Sequence, residues 1–78
     1  MFDFTLPPID AELEYATVTR WLKREGDNVT AGEPIVEVEA EKVNFELEAP
    51  VSGVLASIVA VDGDEVKVGG KLAMIEDS

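Results

Sequence analysis

The chain has 78 residues, neither cysteine nor histidine, and a formal net charge of −11 at pH 7. Without those two residue types it has no thiolate or imidazole ligand and no Ser-His-Asp arrangement, so we expect no metal site and no active site of its own. The charge is unfavourable for nucleic acid and for anionic membranes, and no apolar run approaches spanning length. We therefore expect one soluble domain over residues 1–78, monomeric in isolation.

In chain order, the sequence consists of short extended segments separated by turns. An extended start, residues 3–6, is followed by a loop over residues 7–14, and glycine or proline then recurs at residues 26, 32, 34, 50, 53, 63, 69 and 70. Helical periodicity is absent. The pattern predicts an all-β fold of about eight short strands, arranged as a flattened barrel or sandwich of two roughly four-stranded antiparallel sheets.

Residues 36–48, VEVEAEKVNFELE, alternate apolar side chains with acidic ones, or with Asn44, on both sides of Lys42. The alternation predicts a hairpin whose two-residue loop is Glu41 and Lys42. The register then matches apolar residues with one another: Ala40 with Val43, Val38 with Phe45, and Val36 with Leu47. It also sets Glu37 opposite Glu46, a like-charge pair, and it uses a Glu-Lys turn where Asn-Gly or Asp-Gly is preferred. These costs suggest that the turn serves a purpose other than folding.

The chain also contains an internal repeat, because several residues recur at an offset of 37 positions. The identical pairs are Gly26 and Gly63, Asp27 and Asp64, Val29 and Val66, and Gly32 and Gly69. Upstream, DFTL at residues 3–6 resembles NFEL at residues 44–47 at an offset of 41, which predicts about four extra residues in the first copy. Two such copies predict a fold with a pseudo-twofold axis.

Lys42 is the candidate functional residue. A nucleophilic lysine is usually buried or beside another cation, whereas Lys42 is predicted to lie at an exposed tip near Glu39, Glu41 and Glu46. Such an amine is a poor catalyst and an accessible handle for covalent attachment, held in a repeatable position by its hairpin. The alternative is an ordinary solvated turn residue, and composition alone does not separate the two.

From about Phe4 to Glu76 the sequence resembles a lipoyl domain of the dihydrolipoamide acyltransferases of 2-oxo acid dehydrogenase complexes. FTLPPI resembles the family's opening Leu-Pro-x-Ile, and residues 18–43 resemble its strand, Gly-Asp turn and lysine hairpin. LEAPVSGVL resembles the segment in which a glycine follows the modified lysine by 11 positions, here Gly53.

The resemblance implies that Lys42 carries lipoic acid, with Val43 conforming to the family pattern. Glu41 stands where the family has aspartate, and the opening loop lacks the family's Gly-Glu-Gly. The residues expected to be recognised by the attaching enzyme are Glu39, Glu41, Val43 and Gly53.

By this resemblance the domain is a swinging-arm carrier and not an enzyme. A lipoate ligase or lipoyl transferase would form the amide. A thiamin-diphosphate-dependent 2-oxo acid decarboxylase would reductively acylate the arm, the parent acyltransferase would pass the acyl group to coenzyme A, and a flavin-dependent dihydrolipoamide dehydrogenase would reoxidise it. The expected location is the cytoplasm of a bacterium or archaeon, or the mitochondrial matrix of a eukaryote.

Two other interpretations fit most of the same residues. Biotinyl carrier domains of biotin-dependent carboxylases share the repeat and the EAPVSG-like segment, but resemble Ala-Met-Lys-Met at the lysine, where this chain has Glu41 and Val43. The second alternative is an unmodified lipoyl-like domain that uses its hairpin rim only for contact.

Overall fold

The computed structural model describes residues 1–9 and 11–77; Asp10, in the loop predicted over residues 7–14, and Ser78 lie outside the described residues. Within these ranges the chain forms strands and turns only, and no helix is long and apolar enough to cross a membrane. The strands are β1 (Phe2–Thr5), β2 (Tyr15–Trp21), β3 (Asn28–Val29), β4 (Pro34–Ala40), β5 (Val43–Glu48), β6 (Gly53–Ile58), β7 (Glu65–Lys67) and β8 (Lys71–Glu76).

The strands form two four-stranded antiparallel sheets, in the orders β1-β8-β6-β3 and β5-β4-β2-β7. This confirms the all-β architecture. The predicted hairpin is β4 and β5, and its register is confirmed, including the cross-strand pair of Glu37 and Glu46. Strict alternation with one buried face explains why this register could be predicted, since a one-residue slip would turn every apolar side chain to the other face.

Equivalent hydrogen bonds in the two copies display the pseudo-twofold repeat. The amide of Gly26 donates to the carbonyl of Leu55 at 2.7 Å, and the amide of Gly63 donates to that of Val18, also at 2.7 Å. Both glycines have a φ of 94°, a left-handed conformation that a glycine adopts without steric cost. The offset of 37 is therefore confirmed for the Gly-Asp turns and the strands that bind them.

The predicted offset of 41 for the first strand of each copy is wrong. Phe2 pairs with Ile75 as Phe45 pairs with Val38, so β1 corresponds to β5 at an offset of 43. The first copy thus has six extra residues, the difference between 43 and 37, in place of about four. The two offsets differ by two, the side-chain period of a strand, so both keep the same residues facing inward and only the pairing register distinguishes them.

One apolar core lies between the sheets. Its buried residues are Phe4, Leu6, Ala16, Val18, Val29, Ile35, Val36, Val38, Ala40, Leu47, Ala49, Leu55, Ala60, Leu72, Ala73 and Ile75. No polar or charged residue is buried in the described ranges. Trp21 is half-buried at the junction of the copies, where its Nε1 donates to the carbonyl of Ala60 at 2.7 Å. Apart from Phe4, the core is therefore built of small and branched side chains that a thin two-layer fold can enclose.

Candidate functional site

The turn between β4 and β5 consists of Glu41 and Lys42, with φ values of 52° and 66°. They are the two non-glycine residues with positive φ in the described part of the chain. A two-residue loop with positive φ at both positions is the type I′ geometry whose twist matches that of the flanking strands. A left-handed backbone costs an L-residue roughly 1–2 kcal/mol. The hairpin thus imposes on Glu41 and Lys42 a conformation that neither residue favours.

The residue before this turn packs into the apolar core. Ala40, immediately before it, is buried at 6% exposure and pairs with Val43 across the hairpin. Val43 is 51% exposed, so it belongs to the apolar face of β5 but lies beyond the end of the core. The turn is consequently anchored through Ala40, while its own side chains and that of Val43 stand in solvent.

Lys42 is exposed, and none of the salt bridges among the described residues involves it. The expected acidic neighbours Glu39 and Glu41 are also exposed and also form no salt bridge with a described residue. The amine is therefore accessible, and the backbone, not a side-chain contact, sets its position.

The like-charge pair beneath the turn has a partner that the sequence pattern did not predict. Both Nε and Nη2 of Arg20, on β2, lie 3.0 Å from Oε1 of Glu37. Arg20 pairs with Glu37 across β2 and β4, so the guanidinium offsets part of the repulsion between Glu37 and Glu46. Neighbouring strands from distant parts of the sequence supply this compensation.

Gly53 is placed apart from Lys42. It begins β6, in the sheet that does not contain the hairpin, and pairs with Val29. A Cβ at this position would overlap the carbonyl oxygen of Glu76 on β8. The structure therefore brings Glu39, Glu41 and Val43 together around Lys42 and leaves out Gly53, for which it provides a packing role. Recognition by Gly53 stays a prediction.

Another strand end lies beside the turn and was not singled out from the sequence. Thr17 of β2 pairs with Glu39, and continuing that register sets Tyr15 opposite Glu41. Tyr15 is 51% exposed and lines a shallow groove with Leu13, Glu14, Lys67 and Val68. A signal for this position was present in the sequence. Tyr15 is an aromatic residue that begins a strand, and it lies out of phase with the buried Ala16 and Val18.

The family model described as "Biotin-requiring enzyme" matches residues 3–75. Among solved structures, the lipoyl domain of the 2-oxoglutarate dehydrogenase complex from Azotobacter vinelandii superposes with a TM-score of 0.79 at 33% identity, covering 100% of this chain and 99% of that one. The chain belongs to the lipoyl domain family. This confirms the resemblance and the predicted carrier class of function.

Curated relatives of this chain are much longer proteins. The chain is 40% identical over 77 residues to the dihydrolipoyllysine-residue acetyltransferase component of the pyruvate dehydrogenase complex of Corynebacterium glutamicum, covering 99% of this chain and 11% of that protein. It is 39% identical over 75 residues to the succinyltransferase component of the 2-oxoglutarate dehydrogenase complex of Staphylococcus saprophyticus, covering 96% of this chain and 18% of that protein. The chain thus spans less than a fifth of the length of either.

A carboxylase also shares the fold. A single-chain, multi-domain long-chain acyl-CoA carboxylase has a TM-score of 0.76 at 23% identity, over 99% of this chain and 7% of that one. This similarity concerns the fold alone. The lipoyl domain family carries its cofactor on a lysine, and Lys42 is an exposed lysine at a strand-to-strand turn of this chain.

Proposed function

We propose that Lys42 is the attachment residue for lipoic acid and that the domain serves as the swinging arm of a 2-oxo acid dehydrogenase complex. The observation that carries the proposal is the position of Lys42: exposed, unpaired with any described carboxylate, and held at the tip of a type I′ turn. The relatives that are acyltransferase components of such complexes support the same function.

The residues around the turn suit a long covalent substituent. An amide on Nζ of Lys42 displaces no ion pair among the described residues and buries no charge. When attached, lipoic acid supplies a disulfide that can be reduced and acylated. The part of the domain itself is positional: the ladder between β4 and β5 and the buried Ala40 hold the base of the arm, so that its motion begins at a fixed point.

The attachment step is an acylation of the amine. Nζ of Lys42 would lose one proton from its ammonium form to become nucleophilic, attack the activated carboxyl of lipoate, and lose a second proton as the amide forms. A lipoate ligase would activate that carboxyl with ATP, so that pyrophosphate and then AMP are the leaving groups. A lipoyl transferase would reach the same amide from a carrier-bound lipoyl group. Either route removes one positive charge from the turn, where Glu39 and Glu41 keep theirs.

The remaining chemistry belongs to partners in this proposal. A thiamin-diphosphate-dependent 2-oxo acid decarboxylase loads the arm, the acyltransferase core of the parent chain unloads it, and dihydrolipoamide dehydrogenase reoxidises it. The high negative charge suits a tethered module that must visit several active sites without adhering to any of them. The compartment is the bacterial or archaeal cytoplasm, or the mitochondrial matrix for a eukaryotic parent.

The test is the intact mass of the domain after incubation with lipoate, ATP and a lipoate ligase. We expect one lipoyl increment on the wild type, none on Lys42→Arg, and one on Lys71→Arg, a matched change at an exposed lysine that pairs with Asp3. A parallel reaction with biotin and a biotin ligase should give no increment. An increment that survives Lys42→Arg, or one of biotin alone, would overturn the proposal.

A negative result has a specific follow-up. If the folded wild type gains no lipoyl group and Glu41→Asp gains one, the longer Glu41 side chain is what limits recognition, and Lys42 remains the attachment residue. If both proteins stay unmodified, the domain is an unmodified contact module and the proposal fails.

A further inference from the structure

The pseudo-twofold repeat provides an internal comparison for the lysine end of the domain. We call the end of the domain that carries Lys42 the lysine end, and the end related to it by the repeat the far end. Each residue at the lysine end has a counterpart 37 positions away that occupies the equivalent place at the far end. A difference between two counterparts therefore marks a feature that the fold itself does not require. The groove beside the turn is lined by Leu13, Glu14, Tyr15, Lys67 and Val68, whose counterparts at this offset are Pro50, Val51, Ser52, Thr30 and Ala31. At four of these five positions the end that carries Lys42 has the larger apolar, aromatic or basic side chain, and at the fifth it has the acidic Glu14 in place of Val51.

The two ends also differ in how the equivalent amides are bound. At the far end, the side-chain oxygen of Ser52 accepts a hydrogen bond from the amide of Ala31 at 2.9 Å, which ties this side chain to the loop. At the lysine end, the amide of Val68 donates to the backbone carbonyl of Glu14 at 2.8 Å. The amide of Val68 therefore does not need a side-chain acceptor from Tyr15, in contrast to the amide of Ala31, which is bound by Ser52. The side chain of Tyr15 is 51% exposed.

The groove begins one strand away from Lys42, the proposed attachment residue. By continuation of the register, Tyr15 lies opposite Glu41, and adjacent strands are about 4.8 Å apart. The lysine methylenes and the acyl chain of lipoate together extend well beyond one strand spacing. Of the large hydrophobic side chains exposed in the described residues, Tyr15 and Val43 lie on the two strands that flank β4 at its turn end.

From this placement we infer that the groove of Leu13, Glu14, Tyr15, Lys67 and Val68 is a resting site for the lipoyl arm of the same domain, with the arm packed against the apolar members of the groove. The inference rests on the proposed attachment at Lys42. The chemistry matches: the arm is an apolar chain that ends in two sulfurs, the groove offers half-buried aliphatic carbons and an aromatic ring, and sulfur packs favourably against aromatic rings. Because a short flexible tether gives an effective concentration in the millimolar range, a contact of about millimolar affinity would be half occupied.

The test uses backbone amide NMR shifts and does not depend on a ligase. Since the chain has no cysteine, Lys42→Cys carries a single thiol, which can be alkylated with an iodoacetamide that bears a lipoyl chain or with iodoacetamide itself. We expect the lipoyl chain, and not the acetamide alone, to shift the amides of residues 13–15 and 67–68. The amides of Thr30, Ala31 and Ser52 should not move, and the shifts should be independent of protein concentration.

Two variants separate the groove from general effects. Tyr15→Ser should abolish the shifts at residues 67–68, while Val61→Ser, a change at a residue 55% exposed elsewhere on the surface, should preserve them. Shifts confined to residues 40–44 would show that the arm is free, and shifts that grow with concentration would show that it binds a second molecule; either result overturns the inference. A failure of enzymatic lipoylation would contradict the proposed function without altering the outcome on the alkylated protein.

Discussion

The replacement of Gly53 by alanine tests whether this glycine serves packing or recognition. The new Cβ would overlap the carbonyl oxygen of Glu76 and lie 3.2 Å from Cα of Asp77, both backbone atoms. Gly53 does not have positive φ, so backbone conformation alone does not oppose alanine. The effect is therefore decided by contact across β6 and β8.

The magnitude follows from two opposing contributions. Inserting a methyl group into a packed site typically costs about 1–3 kcal/mol, and alanine recovers about 0.4–1 kcal/mol by restricting the unfolded chain. Because Glu76 ends the last strand, part of the overlap can be relieved by local movement. We expect a net loss of about 1 kcal/mol in the free energy of unfolding, which corresponds to a fall of about 4–8 °C in Tm for a domain of this size.

The repeat supplies the matched control. Ala16 is the counterpart of Gly53 at the offset of 37, and it is buried with its Cβ accommodated. Ala16→Gly removes a methyl group and loosens the unfolded chain, so it should also destabilise the domain, but by cavity formation and chain entropy.

The assays are urea unfolding followed by Trp21 fluorescence, and the initial rate of lipoylation under conditions in which each variant is folded. A packing role predicts that Gly53→Ala loses stability but is lipoylated at the wild-type rate. A variant of unchanged stability that is lipoylated tenfold more slowly would refute the packing argument and assign Gly53 to recognition.

Three further predictions concern the turn and the charges of the surface. Glu41→Gly should raise the free energy of unfolding by about 1 kcal/mol in urea titrations, because glycine relieves the positive φ; a loss of stability would show that the turn is not strained. Arg20→Ala should cost about 0.5 kcal/mol at low salt, since Glu37 loses its partner, and a cost that persists in 1 M salt would contradict an electrostatic origin. The pKa of the Glu33 carboxyl lies below its usual value of 4.5, chiefly because it accepts a backbone hydrogen bond, so its contribution to stability is present above that pH and is lost as the pH falls through the lower folded-state pKa. Glu33→Gln should therefore be less stable than the wild type at pH 7 and approach it in acid unfolding curves, and a constant difference between the two curves would refute this account.

Local alternation and turn chemistry determined the parts of this protein that depend on short distances along the chain. The register of the Val36–Leu47 hairpin follows from period-two alternation around one two-residue loop, because a slip of one position would expose its apolar face. The Gly-Asp turns and their offset of 37 follow from residues that repeat in identity. The position of Lys42 at the hairpin tip, and with it the candidate site, was therefore accessible from sequence.

Tertiary structure alone decided the relations between segments distant in sequence. An offset of 41 or 43 for the first strand leaves the same residues facing inward, so only its pairing with β8 selects between them. The groove at Tyr15 joins residues 13–15 to residues 67–68, and the overlap at Gly53 involves Glu76 at the other end of the chain. Alternation specifies which face of a strand is buried, whereas strand pairing, which depends on the packing of the whole core, specifies which residues become neighbours.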